Sequence, residues 1–476
     1  MANYVHDLVS GDFFTVPTVR DWLSWCLGCI ILAVSMLGCS AAAKPPRVLF
    51  IGVDGLEWSV IMPMVQEGEL PHLRALMQRG AFGKLETLDP TLSPVIWTTI
   101  ATGKLPDKHG VHHFYLLDPK TGERRLYNSS DRRVSALWNI MSDHGLRVHV
   151  VGWFLTYPAE PIRGFMVSQY TSLQRALELW KGTLEKGVPH QTYPESFFER
   201  LTPEIQAAAD EARVLEKRLF GGDVSGSTGE LETKLVQHTV WAVESDALYA
   251  RIAEKVIRNE PDFNLMAVYF GSTDVAAHRF WRYYRPEGFR FPPSRQGRDR
   301  FGKVVPDTYR MVDEWIGRLL TLCGNEVTVF VVSDHGMYPI RQHLNFENLR
   351  TVQQMNSADH LDAERAPGVI VAAGPGIRKG AEGSLEGLEL ATMKRLGSVV
   401  EVAPTLLYLL GVPVGRDMDG GLMEALLDPA FRERHALLEV DTHEKAGADV
   451  AAEPLDEEMD REMLERFKSL GYIEDD

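Results

Sequence analysis

The 476-residue chain is long enough for one large α/β domain with an insertion, or for two domains, and its 45% hydrophobic and 24% charged content is ordinary for a globular protein. A formal net charge of -16 and a pI near 5.5 exclude a nucleic-acid groove binder, whose phosphate contacts need a basic surface. The cysteines are Cys26, Cys29, Cys39 and Cys323; three fall in one N-terminal apolar stretch, which excludes a disulfide framework.

In chain order, Trp22 to Leu37 is continuously apolar or small, short for a membrane span and closer to a signal-peptide core. It ends Met36-Leu37-Gly38-Cys39-Ser40, which resembles a bacterial lipoprotein signal with Cys39 as the lipidated first residue of the mature chain; an uncleaved membrane anchor is the alternative. Such a signal implies a protein exported and lipid-anchored to a bacterial membrane. Residues 1–46 are then signal and tether, and the folded part begins near Arg47.

Arg47 to Gly55 is an uninterrupted apolar run ending in Asp54 and glycine. It reads as a strand buried on both faces of a parallel sheet. Asp54 stands at its carboxyl end, where ligands bind in open α/β sheets. Pro71 to Arg79 has helical spacing with proline at its start, and Leu85 to Pro94 is irregular. The apolar and threonine pattern of Val95 to Ala101 runs on to Thr102-Gly103, Ser135 to His144 reads as a helix, and Arg147 to Gly152 as a strand. From about Thr171 to Gly229 this rhythm gives way to charged helical pieces such as Ala207 to Leu219. This is a helical insertion, either covering the mouth of a site or peripheral to it. The rhythm returns with a helix at Asp246 to Ile257, a strand at Asn264 to Phe270, a long helix at Val304 to Cys323, strands at Val327 to Val332 and Gly368 to Ala373, and a helix at Val399 to Leu410. Residues 439–476 form an acidic tail with a mobile N-terminal part and a short helix around Met459 to Leu470. The expected fold is α/β: a mostly parallel central sheet flanked by helices over 47–438, with the insertion at about 171–229.

Strand ends are polar in a repeated manner: Asp54, then Asp274 in Gly-Ser-Thr-Asp, then Asp334-His335. Carboxylates gathered at one sheet edge repel unless something positive lies between them, and imidazole beside carboxylate suggests zinc or another transition metal. Asp274 and His278 are one helical turn apart and can share an ion, although alone such an aspartate is usually a cap and such a histidine a packed or solvated side chain. Asp334-His335-Gly336 interrupts an apolar strand, which an Asx-type turn also explains. Ser93 stands at a helix or strand entrance, as an N-cap or as a nucleophile whose oxygen a metal holds ionised.

Taken together, these stretches resemble the alkaline phosphatase superfamily, most closely its type I phosphodiesterase/nucleotide pyrophosphatase branch. The resemblance rests on Ile51 to Gly55, on Ser93 through Thr102-Gly103-Lys104-Leu105-Pro106-Asp107-Lys108-His109-Gly110, on Asp274 with His278, on Ser333 to Gly336, and on Gly368 to Gly376. It implies two zinc ions, or other divalent transition metals. Asp54, Asp334, His335 and the nucleophile Ser93 would hold one, and Asp274, His278 and His360 the other. Thr91 is the fallback nucleophile and His343 the competitor of His360, while His109 looks like a turn or packing residue. Nucleotide pyrophosphatases carry a phosphoryl-binding asparagine shortly after the nucleophile, where Ile96 and Trp97 stand here.

The implied chemistry is hydrolysis of phosphodiester or pyrophosphate bonds of a small phosphoester through a phosphoseryl intermediate. Phosphomutase, phosphotransferase and phosphonate hydrolase chemistries share the metal core, and an inactive lipid-anchored binding protein is a further alternative. Sulfatase chemistry is disfavoured because Ser93-Pro94-Val95-Ile96-Trp97 lacks that branch's arginine. Asp54, Asp274, Asp334 and a Ser93 alkoxide offset two divalent ions, which favours a singly charged diester unless a cation such as Arg279 contributes.

Overall fold

The computed structural model describes residues 46–445 except 118–121, 123, 170–188, 222–229, 341–355, 381–384 and 386–387. The signal segment with Cys39, the alternative ligand His343 and the helix expected near Met459 to Leu470 lie outside the described residues. No helix among the described residues is long and apolar enough to cross a membrane.

Nine strands form one sheet: β1 (Val48–Val53), β2 (Ala81–Glu86), β3 (Val148–Val151), β4 (Gly164–Val167), β5 (Thr192–Tyr193), β6 (Leu265–Phe270), β7 (Thr328–Ser333), β8 (Gly368–Ala373) and β9 (Arg395–Ser398). Their order across the sheet is β9-β2-β8-β7-β1-β6-β3-β4-β5. The run β7-β1-β6-β3-β4 is parallel throughout. β8 runs antiparallel to both neighbours, and β5 antiparallel to β4. The helices that pack on the sheet include α1 (Trp58–Gln66), α2 (Pro71–Arg79), α3 (Ser93–Thr102), α4 (Leu137–Asp143), α5 (Thr202–Phe220), α6 (Glu230–Asn259), α7 (Ser272–Tyr284), α8 (Val304–Cys323) and α9 (Val402–Leu409).

Because side chains alternate along a strand, β1 feeds two cores. Leu49, Ile51 and Val53 pack with α1, α2 and α5 to α8, while Val48 and Phe50 pack with α3, α4 and α9. Strands buried on both faces need apolar residues at every position, which is why β1, β6, β7 and β8 read as unbroken runs. The result is the expected α/β architecture, a mostly parallel sheet between helical layers.

Several elements differ from the sequence expectation. β2 was not expected, because Gly83, Lys84 and Glu86 interrupt its apolar pattern. Its entry is set by Gly80, where a Cβ would fall 1.9 Å from the Ala372 carbonyl oxygen of β8. α6 begins well before Asp246, and α5 packs Ile205, Ala208, Ala212, Leu215 and Leu219 into the core. The described helix of the insertion is thus packed against the core along one face. Glu439–Val440, expected to open a mobile tail, pair in parallel with Val414–Gly415. Glu444 beyond them reaches the buried Lys104 at 2.8 Å, beside Asp417 at 2.7 Å. A buried ammonium needs such counter-charges, and the motif lysine thereby ties residues 439–445 to the body.

His149 on β3 is wholly buried; its Nδ1 accepts the Phe165 N–H at 3.1 Å, and its ring stacks on Phe165. Burial, with Arg147 nearby, pushes it down to about 4. A folded value below the unfolded one means that stability is whole above about pH 6.5 and falls as the pH drops towards 4. His149→Asn, whose side-chain oxygen can accept the same N–H, is expected to flatten the acid limb by about 1.4 kcal/mol per pH unit. Urea unfolding of both proteins at pH 4.5 to 6.5, with chelator present, measures the difference; equal slopes would contradict it.

Candidate metal centre

The register places Val53 beside Phe270 and Gly52 beside Val332, so β1, β6 and β7 end at one edge of the sheet. The residues that follow each strand emerge together there. Asp54 is buried, its N–H donates to Phe270 O at 2.9 Å, and its carbonyl accepts the Thr273 hydroxyl. Its Oδ2 takes two hydrogen bonds, from the Tyr269 hydroxyl at 2.6 Å and the Trp97 indole N–H at 3.1 Å. Its Oδ1 makes none among the described residues.

Gly55 holds φ at +66°, and a Cβ there would sit 2.8 Å from the Asp274 Cα. Gly55→Ala therefore strains the turn and displaces Asp274. The expected result is a fall in melting temperature together with at least a tenfold loss of affinity for a divalent metal, read by calorimetry. Unchanged affinity would show that the close approach does not matter to the cluster.

α7 starts directly after β6, and its cap comes from another helix. Asp246 of α6 accepts the N–H groups of Gly271 and Ser272 at 2.9 and 2.8 Å, and burial pushes its carboxyl up to about 7. Asp274 lies in the first turn of α7 and His278 one turn later, with Oδ1 and Nε2 3.3 Å apart. The His278 Nδ1–H donates to Ala358 O at 2.8 Å, which turns Nε2 towards Asp274.

After β7, Asp334 and His335 are wholly buried. The His335 Nδ1–H donates to Gly336 O at 2.9 Å, and Nε2 faces Asp54 Oδ1 at 3.2 Å and Asp334 Oδ2 at 3.3 Å. Glu57 braces this loop against the one after β1, its carboxylate accepting the Ser59 and Met337 N–H groups. The His360 ring stacks on His335 with centroids 3.6 Å apart, and its Nδ1 meets the Thr91 hydroxyl at 3.1 Å. That hydroxyl also donates to the His360 carbonyl, so Thr91, the fallback nucleophile, is engaged in holding His360.

Ser93 is the first residue of α3 rather than its cap, which is Leu92. It is 2% exposed, with its Oγ 3.3 Å from His335 Nε2. At a helix N-terminus the dipole favours negative charge on that oxygen.

The geometry forms two ligand groups, Asp274-His278-His360 and Asp54-Asp274-His335, each with its ligand atoms within 4.8 Å of one another. Asp274 thus belongs to both, whereas the sequence expectation gave it to one, and Asp334 joins the second group through His335. These residues fit a metal centre on chemical grounds. Asp54 Oδ1 and both Asp334 oxygens are buried without a hydrogen bond among the described residues, and three carboxylates share one water-excluded edge. Without a metal, protons must supply the compensation. Burial opposes charge on His335, yet Asp334 and Asp54 raise it to about 10. Burial and the neighbouring Asp54 push Asp334 well up, and His360 is driven well down by burial and by His335 and His278. Burial would raise Asp274 too, but His278 holds it below the usual carboxylate range.

Trp97, Tyr269, Asp246 and Glu57 were missed from sequence. A tryptophan in an apolar helix and a tyrosine in an apolar strand both read as core, and only the polar tip of Tyr269 near a strand end gave a signal. Ile96 is wholly buried in the core and Trp97 is bound to Asp54, so neither replaces the absent asparagine. His109 is packed, with Nδ1 accepting from Val111 N and Nε2 meeting the Thr99 hydroxyl. Arg279 is wholly buried on α7.

The family model described as type I phosphodiesterase / nucleotide pyrophosphatase matches residues 48–395. Among solved structures, phosphonoacetate hydrolase from Sinorhizobium meliloti 1021, in complex with phosphonoformate, is similar at 18% identity and a TM-score of 0.38. That match covers 66% of this chain and 62% of the hydrolase. Human ectonucleotide pyrophosphatase / phosphodiesterase 5 is similar at 12% identity and a TM-score of 0.45, covering 80% of this chain and 99% of that one. No curated protein matches the sequence.

Proposed function

The chain belongs to the type I phosphodiesterase / nucleotide pyrophosphatase family, and from that premise we propose that it is a zinc-dependent phosphoesterase with Ser93 as its nucleophile. The observation that carries the proposal is the convergence of Asp54, Asp274, Asp334, His278, His335 and His360 on one buried edge, with the Ser93 Oγ 3.3 Å from His335 Nε2. Asp54, Asp334, His335 and Ser93 would hold one zinc, and His278 and His360 the other, with Asp274 placed to serve both. Zinc held there would supply Lewis acidity, favouring ionisation of the Ser93 hydroxyl at neutral pH and offsetting charge on the phosphoryl and leaving oxygens.

The Ser93 oxygen attacks phosphorus in line and displaces one ester alcohol, or the distal phosphate of a pyrophosphate, leaving a phosphoseryl adduct that still carries the substrate's remaining ester group. Water then displaces Ser93, releasing the phosphomonoester and returning a proton to the serine oxygen. Two in-line displacements retain configuration at phosphorus. Thr91 holds His360 in place, Gly336 O and Ala358 O fix the tautomers of His335 and His278, and burial excludes bulk water from the carboxylates.

The proposed substrates are phosphodiesters or pyrophosphates. Among the described residues no hydrogen bond or ion pair joins a lysine or arginine to Asp54, Ser93, Asp334 or His335, and three carboxylates with a serine alkoxide offset two divalent ions, which favours a singly charged substrate. On zinc-loaded protein, an aryl phosphodiester is expected to turn over at least tenfold faster than the matching monoester. A large monoester preference would refute the assignment. Export and lipidation at Cys39 complete the proposal on sequence grounds, and palmitate labelling lost in Cys39→Ala tests them.

A further inference from the structure

The side of Asp54 turned away from the ligand group is as well defined as the side turned towards it. Oδ2 carries the Tyr269 hydroxyl and the Trp97 indole N–H, while Oδ1 faces His335 Nε2. An indole N–H donates and cannot accept, so it engages Asp54 in one sense only. Neither donor can swing away. Trp97 is wholly buried, packed edge-on against Trp153 at 5.1 Å and Tyr269 at 5.3 Å, and Tyr269 is packed edge-on against Phe154 at 5.3 Å. Gly52 makes room for the indole, since a Cβ there would fall 2.9 Å from it. The carboxylate itself is pinned by its backbone, through Phe270 O and the Thr273 hydroxyl.

A carboxylate with one oxygen fully engaged has one oxygen left to give. Zinc sites use few ligands in tetrahedral array, whereas larger oxygen-seeking ions take more ligands and often both oxygens of a carboxylate. Resting on the functional assignment above, we propose that Tyr269 and Trp97, by occupying Oδ2, restrict Asp54 to single-oxygen ligation and so select zinc over larger, higher-coordinate cations. They act through Asp54 and are positioning residues.

Tyr269→Phe removes one donor and keeps the ring; Trp97→Phe removes the other. Zinc and manganese affinities of the metal-stripped full chain, measured by competition against a chelator, give a selectivity ratio that needs no turnover. Each variant is expected to lower the zinc-over-manganese ratio at least tenfold, within the range that loss of such outer contacts produces. Leu319→Ala, buried on α8 in the core on the other face of the sheet from Trp97 and Tyr269, should lower the melting temperature and leave the ratio unchanged. A wild-type ratio in a folded Tyr269→Phe or Trp97→Phe protein would overturn the inference while leaving the phosphoesterase assignment standing. Wild-type protein that binds neither ion would overturn both.

Discussion

Ser93→Ala protein is expected to bind its metals and lose turnover by about four orders of magnitude or more, the scale seen when a covalent nucleophile is removed. The separation follows from position. Ser93 begins α3 with a buried hydroxyl facing His335, while Asp54, Asp274, Asp334, His278 and His360 are held by their own backbone and side-chain contacts. Alanine at this first helical position leaves Leu92 as cap and Pro94 in place, so α3 should form as before. Zinc content by elemental analysis and turnover of an aryl phosphodiester are the paired measurements. If Ser93→Ala kept wild-type turnover, direct attack by water would replace the phosphoseryl route.

Asp274→Asn has the broader consequence, because Asp274 belongs to both ligand groups. An amide is a poor ligand for a transition metal, so this single change should empty the Asp274-His278-His360 group and weaken the Asp54-Asp274-His335 group with it. At a zinc concentration about a thousandfold above the dissociation constant, wild-type protein gains about 4 kcal/mol from linkage. Asp274→Asn should gain almost none and show background activity. Asp334→Asn, which alters one side only, should keep part of the zinc-dependent shift. Equal shifts in all three proteins would mean that zinc binds elsewhere.

The sequence was most informative where burial acts on both faces of a strand. β1, β6, β7 and β8 must be apolar throughout, so Asp54, Asp274 and Asp334-His335 stand out as polar residues at their carboxyl ends. Local spacing likewise places Asp274 and His278 on one face of α7. What remained hidden is set by tertiary contact. Asp246 read as the first residue of a helix running to Ile257, whereas it sits inside the longer α6 and caps α7 from the side. Lys104 is buried between Asp417 and Glu444, pairings across more than 300 positions that no local pattern records. The sharing of Asp274 between two groups is a matter of distances between strand ends, which motif order does not contain.

Diffraction from zinc-loaded crystals at the zinc absorption edge tests the central claim most directly. The account predicts two anomalous peaks at the carboxyl edge of the sheet, one bounded by Asp54, Asp334, His335 and Ser93 and the other by Asp274, His278 and His360. No peak among these side chains, or zinc bound only at the surface, would contradict it.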